Sequence, residues 1–138
     1  MRGWQKYKVR VTTEAVLGAV TGSRTAPRAL LLGRYDAAGH LQYVGRSTTL
    51  SQAAGCALSD RLAPPTGVHP WTGWSFSAGW GTQRTLDVHL VQPSVVMEVA
   101  VDVARDAAGR WRHPARPHRV RTGLASDDIP LFGEGSGP

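Results

Sequence analysis

The sequence predicts an all-β domain with a small α contribution: a five-stranded Greek-key barrel with one helix between strands 3 and 4. Three observations predict it. Period-two and β-branched runs recur along the chain, Asp-Ala-Ala-Gly occurs twice between such runs, and one stretch, residues 49–62, has helical spacing. At 138 residues the chain fits one compact domain large enough to bury a core of its own.

Each element has its own local warrant. Residues 8–20 read as a long first strand, bent near Gly18 because glycine weakens a strand interior. Residues 30–35 and 40–45 flank Asp36-Ala37-Ala38-Gly39. Asp first and Gly last suit a type I turn closing on a left-handed glycine, so this is a hairpin. The helix over 49–62 places Leu50, Ala54, Ala57, Leu58, Arg61 and Leu62 on one face, and Pro64-Pro65 stops it. Residues 64–80 are rich in glycine and aromatics. They suit barrel core with tight turns, or stacking on bases through Trp74 and Trp80.

Residues 86–91 form a short strand before Pro93. Over 95–103 the odd positions are apolar while Glu98 and Asp102 share the even face, the pattern of a half-buried strand. Asp106-Ala107-Ala108-Gly109 repeats the first turn and reads as shared turn chemistry rather than a domain repeat. Residues 133–138 are expected to be disordered. A bent first strand and an intervening helix that plugs one end make the oligonucleotide-binding barrel the leading architecture.

Composition narrows the chemistry. The net charge is +6, and only two of the sixteen cations are lysines, Lys6 and Lys8, so a nucleophilic lysine has two candidates. The single cysteine excludes a disulfide framework and a Cys-rich zinc site. Cys56 lies between Ala53-Ala54-Gly55 and Ala57-Leu58 and reads as core packing. The histidines lack metal-ligand spacing, and Glu98 and Asp102 do not resemble a tuned acid–base pair. No apolar run approaches the length of a membrane span, and the first residues lack a signal-peptide hydrophobic region. These features predict a soluble, cytoplasmic protein with no membrane partner.

The charge is unevenly spread. Residues 1–34 carry seven cations and one anion, residues 35–104 three and five, and residues 105–121 six and one. Brought together, the two basic blocks would form one positive face suited to phosphates. In Trp4-Gln5-Lys6-Tyr7-Lys8 a strand would project both ammonium groups from one face, about 7 Å apart. That spacing suits phosphates, or an exposed basic edge. The Arg-rich stretch from Arg110 to Arg121 would repel itself without an anion. Arg119 and Arg121 alternate about Val120 and would share a face on a strand.

Together these segments resemble the ATP-dependent DNA ligases. Trp4-Gln5-Lys6-Tyr7-Lys8 resembles their motif V, Trp-x-Lys-x-Lys. Leu31-Leu32-Gly33-Arg34-Tyr35, Tyr43-Val44-Gly45-Arg46 and Pro93-Ser94-Val95-Val96-Met97-Glu98-Val99 are similar to their C-terminal oligonucleotide-binding domain. Arg112-His113-Pro114 with Arg119-Val120-Arg121 resembles the closing motif VI region. The resemblance spans about residues 2–132. It implies a motif V remnant of a nucleotidyltransferase domain at 1–8 and an oligonucleotide-binding domain at 9–132.

The resemblance also implies roles. Lys6 and Lys8 would contact the α-phosphate of ATP or bound AMP, and Arg119 and Arg121 would orient the departing pyrophosphate. Arg10, Arg34, Arg46, Arg112 and Arg116 would contact nicked or duplex DNA along its backbone. ATP and Mg2+ are the cofactors implied for the complete ligase. Two departures stand out. The chain reads Arg121-Thr122-Gly123-Leu124 where the family often has Arg-x-Asp-Lys or Arg-x-Asp-Leu. The Lys-x-Asp-Gly motif of the adenylylated lysine is absent, so no catalytic residue is assigned. The chain is therefore expected to be inactive alone and to act beside a separate nucleotidyltransferase domain or chain. A stand-alone single-strand-binding barrel is the competing expectation.

Overall fold

The computed structural model describes residues 10–76, 87–102 and 104–133. Six strands and one helix follow in the order β1 (Arg10–Gly22), β2 (Pro27–Tyr35), β3 (Leu41–Arg46), α1 (Gln52–Ser59), β4 (Val88–Leu90), β5 (Val96–Asp102) and β6 (Arg116–Val120). The sheet runs β3-β2-β1-β5-β6, with β4 on a side branch against β1. All named pairs are antiparallel.

The two ends of this path meet. Trp111 N donates to Val44 O at 2.8 Å, Ala115 N to Arg46 O at 2.9 Å and Thr48 N to Ala115 O at 2.8 Å. A parallel bridge, Ser47 to Ala115, lies among them. The segment leading into β6 is thus hydrogen-bonded to the end of β3, and the fold is the all-β one with a small α contribution that the sequence predicts, its one helix, α1, lying between the third and fourth strands.

The described strands number six where five are expected, because β1 is long enough to serve two neighbours on one side. Residues 10–16 pair with β5 and residues 19–21 with β4. The change falls at Gly18, where the β1–β2 register also slips. A Cβ on Gly18 would run into the Trp71 ring. The expected bend is therefore a place where an indole replaces a side chain.

Residues 15–20 of β1 are apolar without alternation because both faces are covered. Ala15, Leu17 and Val20 join one core cluster with Leu30, Leu32 and Val99. Val16 and Ala19 join a second with Leu31, Trp71 and Phe76. The aromatic loop thus supplies the second core, as the packing reading of Trp71 and Phe76 expects. Trp71 Nε1 donates to Leu41 O at 2.9 Å, and Trp71 N donates to His69 Nδ1 at 2.9 Å, so the buried His69 carries its ring proton on Nε2.

Both Asp-Ala-Ala-Gly turns form alike. Gly39 N donates to Asp36 O and Gly109 N to Asp106 O, each at 3.0 Å. Both glycines take φ above +80°. Each aspartate Oδ1 accepts two further backbone N–H groups, from Ala38 and His40 and from Ala108 and Arg110.

The helix differs from expectation. It is shorter, Ser51 caps it by accepting from Ala54 N, and Gly55 and Leu58 are its buried residues. Ala54, Ala57 and Arg61 of the expected face are exposed, and so is Cys56, which corrects its reading as core packing. The cause is backbone contact: a Cβ on Gly55 would lie 2.6 Å from Pro27 O. The helix meets β2 along its glycine, which turns Cys56 outward. After β6 the chain makes a 3-10 turn at Ser126–Asp128, and buried Ile129 reaches the second core. The tail beyond residue 133, expected to be disordered, lies outside the described residues.

Candidate nucleic-acid interface

Sheet register brings two carboxylates and two of the expected anion-binding arginines together. Glu14 on β1 is the direct partner of Glu98 on β5. Like charges directly opposite each other destabilise an antiparallel pair. Glu98 is in turn the partner of Arg119 on β6. Arg119 Nε donates to Glu98 Oε1 at 3.2 Å. Arg121 Nη1 donates both to Glu98 Oε1 and to Glu14 Oε2, each at 3.3 Å. His118 Nδ1 lies 3.5 Å from Glu98 Oε2. Arg121 therefore bridges two acids that would otherwise repel. Burial alone would raise the Glu98 carboxyl, but Arg119, with His118 and Arg121 behind it, holds it below the usual carboxylate range.

A second cluster lies where the segment leading into β6 meets the end of β3. Tyr43 and Arg46 of β3 face Trp74 and Phe76 of the aromatic loop and Arg110 and Arg112 of the second turn across a groove of about 480 Å3. The Arg110 guanidinium stands 4.9 Å from the Tyr43 ring centroid. Trp74 stacks on Trp71 at 5.7 Å with 22° between the rings. Burial raises the Tyr43 hydroxyl, and Arg46 and Arg110 pull it partly back.

The remaining expected contacts are scattered. Arg34 is 2% exposed and lies inside the domain. Its Nε and Nη2 donate to Glu14 O at 3.0 and 2.9 Å and its Nη2 to Thr13 Oγ1 at 2.7 Å, and its guanidinium lies 5.3 Å from the Trp111 ring centroid. Burial first, and then Arg105, lowers its pKa to about 10. This corrects its assignment as a DNA contact: Arg34 pins β2 to β1. Arg116 is exposed on β6, beside a smaller hollow of about 400 Å3 that Thr48, Thr49 and Ser51 also line. Arg10 opens β1. Lys6, Lys8 and Trp80 lie outside the described residues. The structure thus joins Arg119 to Arg121 and Arg46 to Arg112. Sequence reasoning misses Glu14 and Tyr43 as site residues, because only strand register and the packing of the second turn against β3 bring them in. Among the described residues no group of three or more His, Cys, Asp or Glu side chains could hold a metal ion. No described helix is long and apolar enough to cross a membrane.

No protein-family model matches the chain, and no curated protein matches it. Solved structures do. The ligase domain of LigD from M. tuberculosis superposes with a TM-score of 0.65 and 24% identity, over 87% of this chain and 38% of that one. A mycobacterial DNA ligase D complexed with ATP and MES superposes with a TM-score of 0.64 and 25% identity, over 88% of this chain and 38% of that one. The chain has a DNA-ligase-like fold and spans under two-fifths of the length of these relatives.

Proposed function

We propose that this chain is the oligonucleotide-binding part of an ATP-dependent DNA ligase. It binds nicked or duplex DNA through its arginines and lends nucleotide and pyrophosphate contacts to a nucleotidyltransferase domain or chain that carries the adenylylated lysine. The observation that carries the reading is the superposition of nearly nine-tenths of this chain on a minor part of two ligase domains.

Arg119 and Arg121 suit the pyrophosphate role because they already hold carboxylate oxygens at 3.2 and 3.3 Å. Phosphate oxygens would compete for the same donors. When bound, ATP supplies the adenylyl group and the leaving pyrophosphate, and Mg2+ enters as its counter-ion. Lys6 and Lys8 would contact the α-phosphate. The reading places the protein in the cytoplasm. Incubating the purified chain with ATP labelled at the α-phosphate tests it. No stable lysine–AMP adduct should form, while nicked duplex is retained in a gel-shift assay. An adduct would overturn catalytic incompetence, and failure to bind any DNA would overturn the whole reading.

A further inference from the structure

The groove between β3 and the segment leading into β6 has two features that the fold does not require. Trp74 is 42% exposed. Its stack on Trp71 needs only one face of the indole, yet a large aromatic remains open to water beside the groove it lines. The second feature is charge. Glu14 and Glu98 neutralise Arg119 and Arg121. Among the described residues no carboxylate makes an ion pair with Arg110 or Arg112. Asp106, which also lines the groove, commits Oδ1 to the N–H groups of Ala108 and Arg110.

Open aromatic surface beside unneutralised guanidinium suits a ligand that carries a flat π face and a negative charge a few ångströms apart. A nucleotide is such a ligand. In an intact duplex both faces of a base are stacked on its neighbours. An unpaired nucleotide can offer a face to an indole while its phosphates meet arginine. Two arginines, Arg110 and Arg112, line the groove on the side of the second turn, a pair suited to successive phosphates of a strand.

We infer that this groove binds an unpaired nucleotide within a nucleic-acid strand, the base against Trp74 and the flanking phosphates at Arg110 and Arg112. The inference rests on the reading of the chain as a DNA-binding domain and adds to it a preference that duplex contact does not supply.

Fluorescence anisotropy with the full chain tests it, using a labelled blunt duplex, the same duplex with a single-stranded overhang, and dAMP as competitor. The overhang form should bind more tightly. Trp74→Ala should weaken overhang binding by about tenfold, the scale of one lost stacking contact, and leave blunt-duplex binding unchanged. Trp74→Phe keeps a ring against Trp71 and should retain most of the preference, which separates lost stacking from lost folding. Arg110→Gln should weaken overhang binding more than blunt-duplex binding. Equal affinity of the wild-type chain for both forms, or equal losses on both with Trp74→Ala, would overturn the groove assignment while leaving the DNA-binding reading intact. Displacement of the overhang by dAMP as readily as by unlabelled strand would overturn the assignment to a strand. Absence of binding to either form would overturn the underlying reading itself.

Discussion

Arg119 and Glu98 are direct partners across β5 and β6, and their side chains meet at 3.2 Å. The pair is more than surface decoration, because Glu98 also faces Glu14 across β5 and β1 and Arg121 spans both acids. The cations expected to hold phosphate are stored against internal carboxylates. A bound phosphate must compete with those carboxylates for the same N–H donors.

Glu98→Gln should therefore raise affinity for DNA a few-fold. It removes the main competitor for Arg119 and Arg121 and relieves the repulsion with Glu14. Gel-shift titration at fixed salt checks it, and the increase should shrink as salt rises. Because the folded-state Glu98 pKa is depressed, this carboxylate contributes stability above its ordinary value of 4.5 and loses it as pH falls through the folded value. Glu98→Gln should accordingly flatten the acid limb of thermal stability.

Arg34→Met should destabilise the domain by about 3 kcal/mol. It strands the Glu14 carbonyl inside the domain and removes the contact with Trp111. Arg34→Lys should restore little, since an ammonium cannot reproduce the paired donors on one oxygen. Urea denaturation measures the loss. DNA affinity measured well below the unfolding midpoint should be unchanged, which would separate Arg34 from the exposed arginines.

Gly18→Ala should cost about 2 kcal/mol, because the added methyl must displace the Trp71 ring from the second core. Trp71→Leu should lose stability alone but soften the penalty at position 18. A double-mutant cycle in urea reads that coupling directly.

His69 gives a pH dependence in a different window. Burial pushes its imidazole below the ordinary value of 6.5, with the backbone oxygens of Val91 and Gly18 pulling partly back. Protonation would also take Nδ1 away from Trp71 N–H. The unfolded chain binds the proton first, so stability is full above about pH 6.5 and falls as pH drops toward the folded value. The thermal midpoint should decline as pH falls below about 6.5, well above the Glu98 window. An imidazole titration by NMR with a midpoint at or above 6.5 for His69 would contradict this.

What was legible in the sequence was mainly local. The two Asp-Ala-Ala-Gly turns carry their chemistry within four residues, so both the hairpin and its repeat could be read from spacing. The apolar alternation of β5 likewise shows its buried face. What escaped reading depends on partners far along the chain. Arg34 looks like any basic residue until β2 is laid against β1 and its donors find Glu14 O and Thr13. Cys56 sits on an apolar-looking helix, but the contact that orients that helix is Gly55 on Pro27 O, which periodicity cannot register. Glu14 and Glu98 are eighty-four positions apart, and only antiparallel register makes them opponents with Arg121 between them.

The central claim is that Arg119 and Arg121 belong to a phosphate-binding face of a ligase-type domain. The most direct test is the salt dependence of nicked-duplex binding by the wild-type chain and by the double variant Arg119→Gln/Arg121→Gln. The wild type should lose affinity steeply as salt rises, and the double variant should bind more weakly with a shallower logarithmic slope, by about 0.9 for each phosphate contact removed. An unchanged slope and affinity in the double variant would contradict the claim.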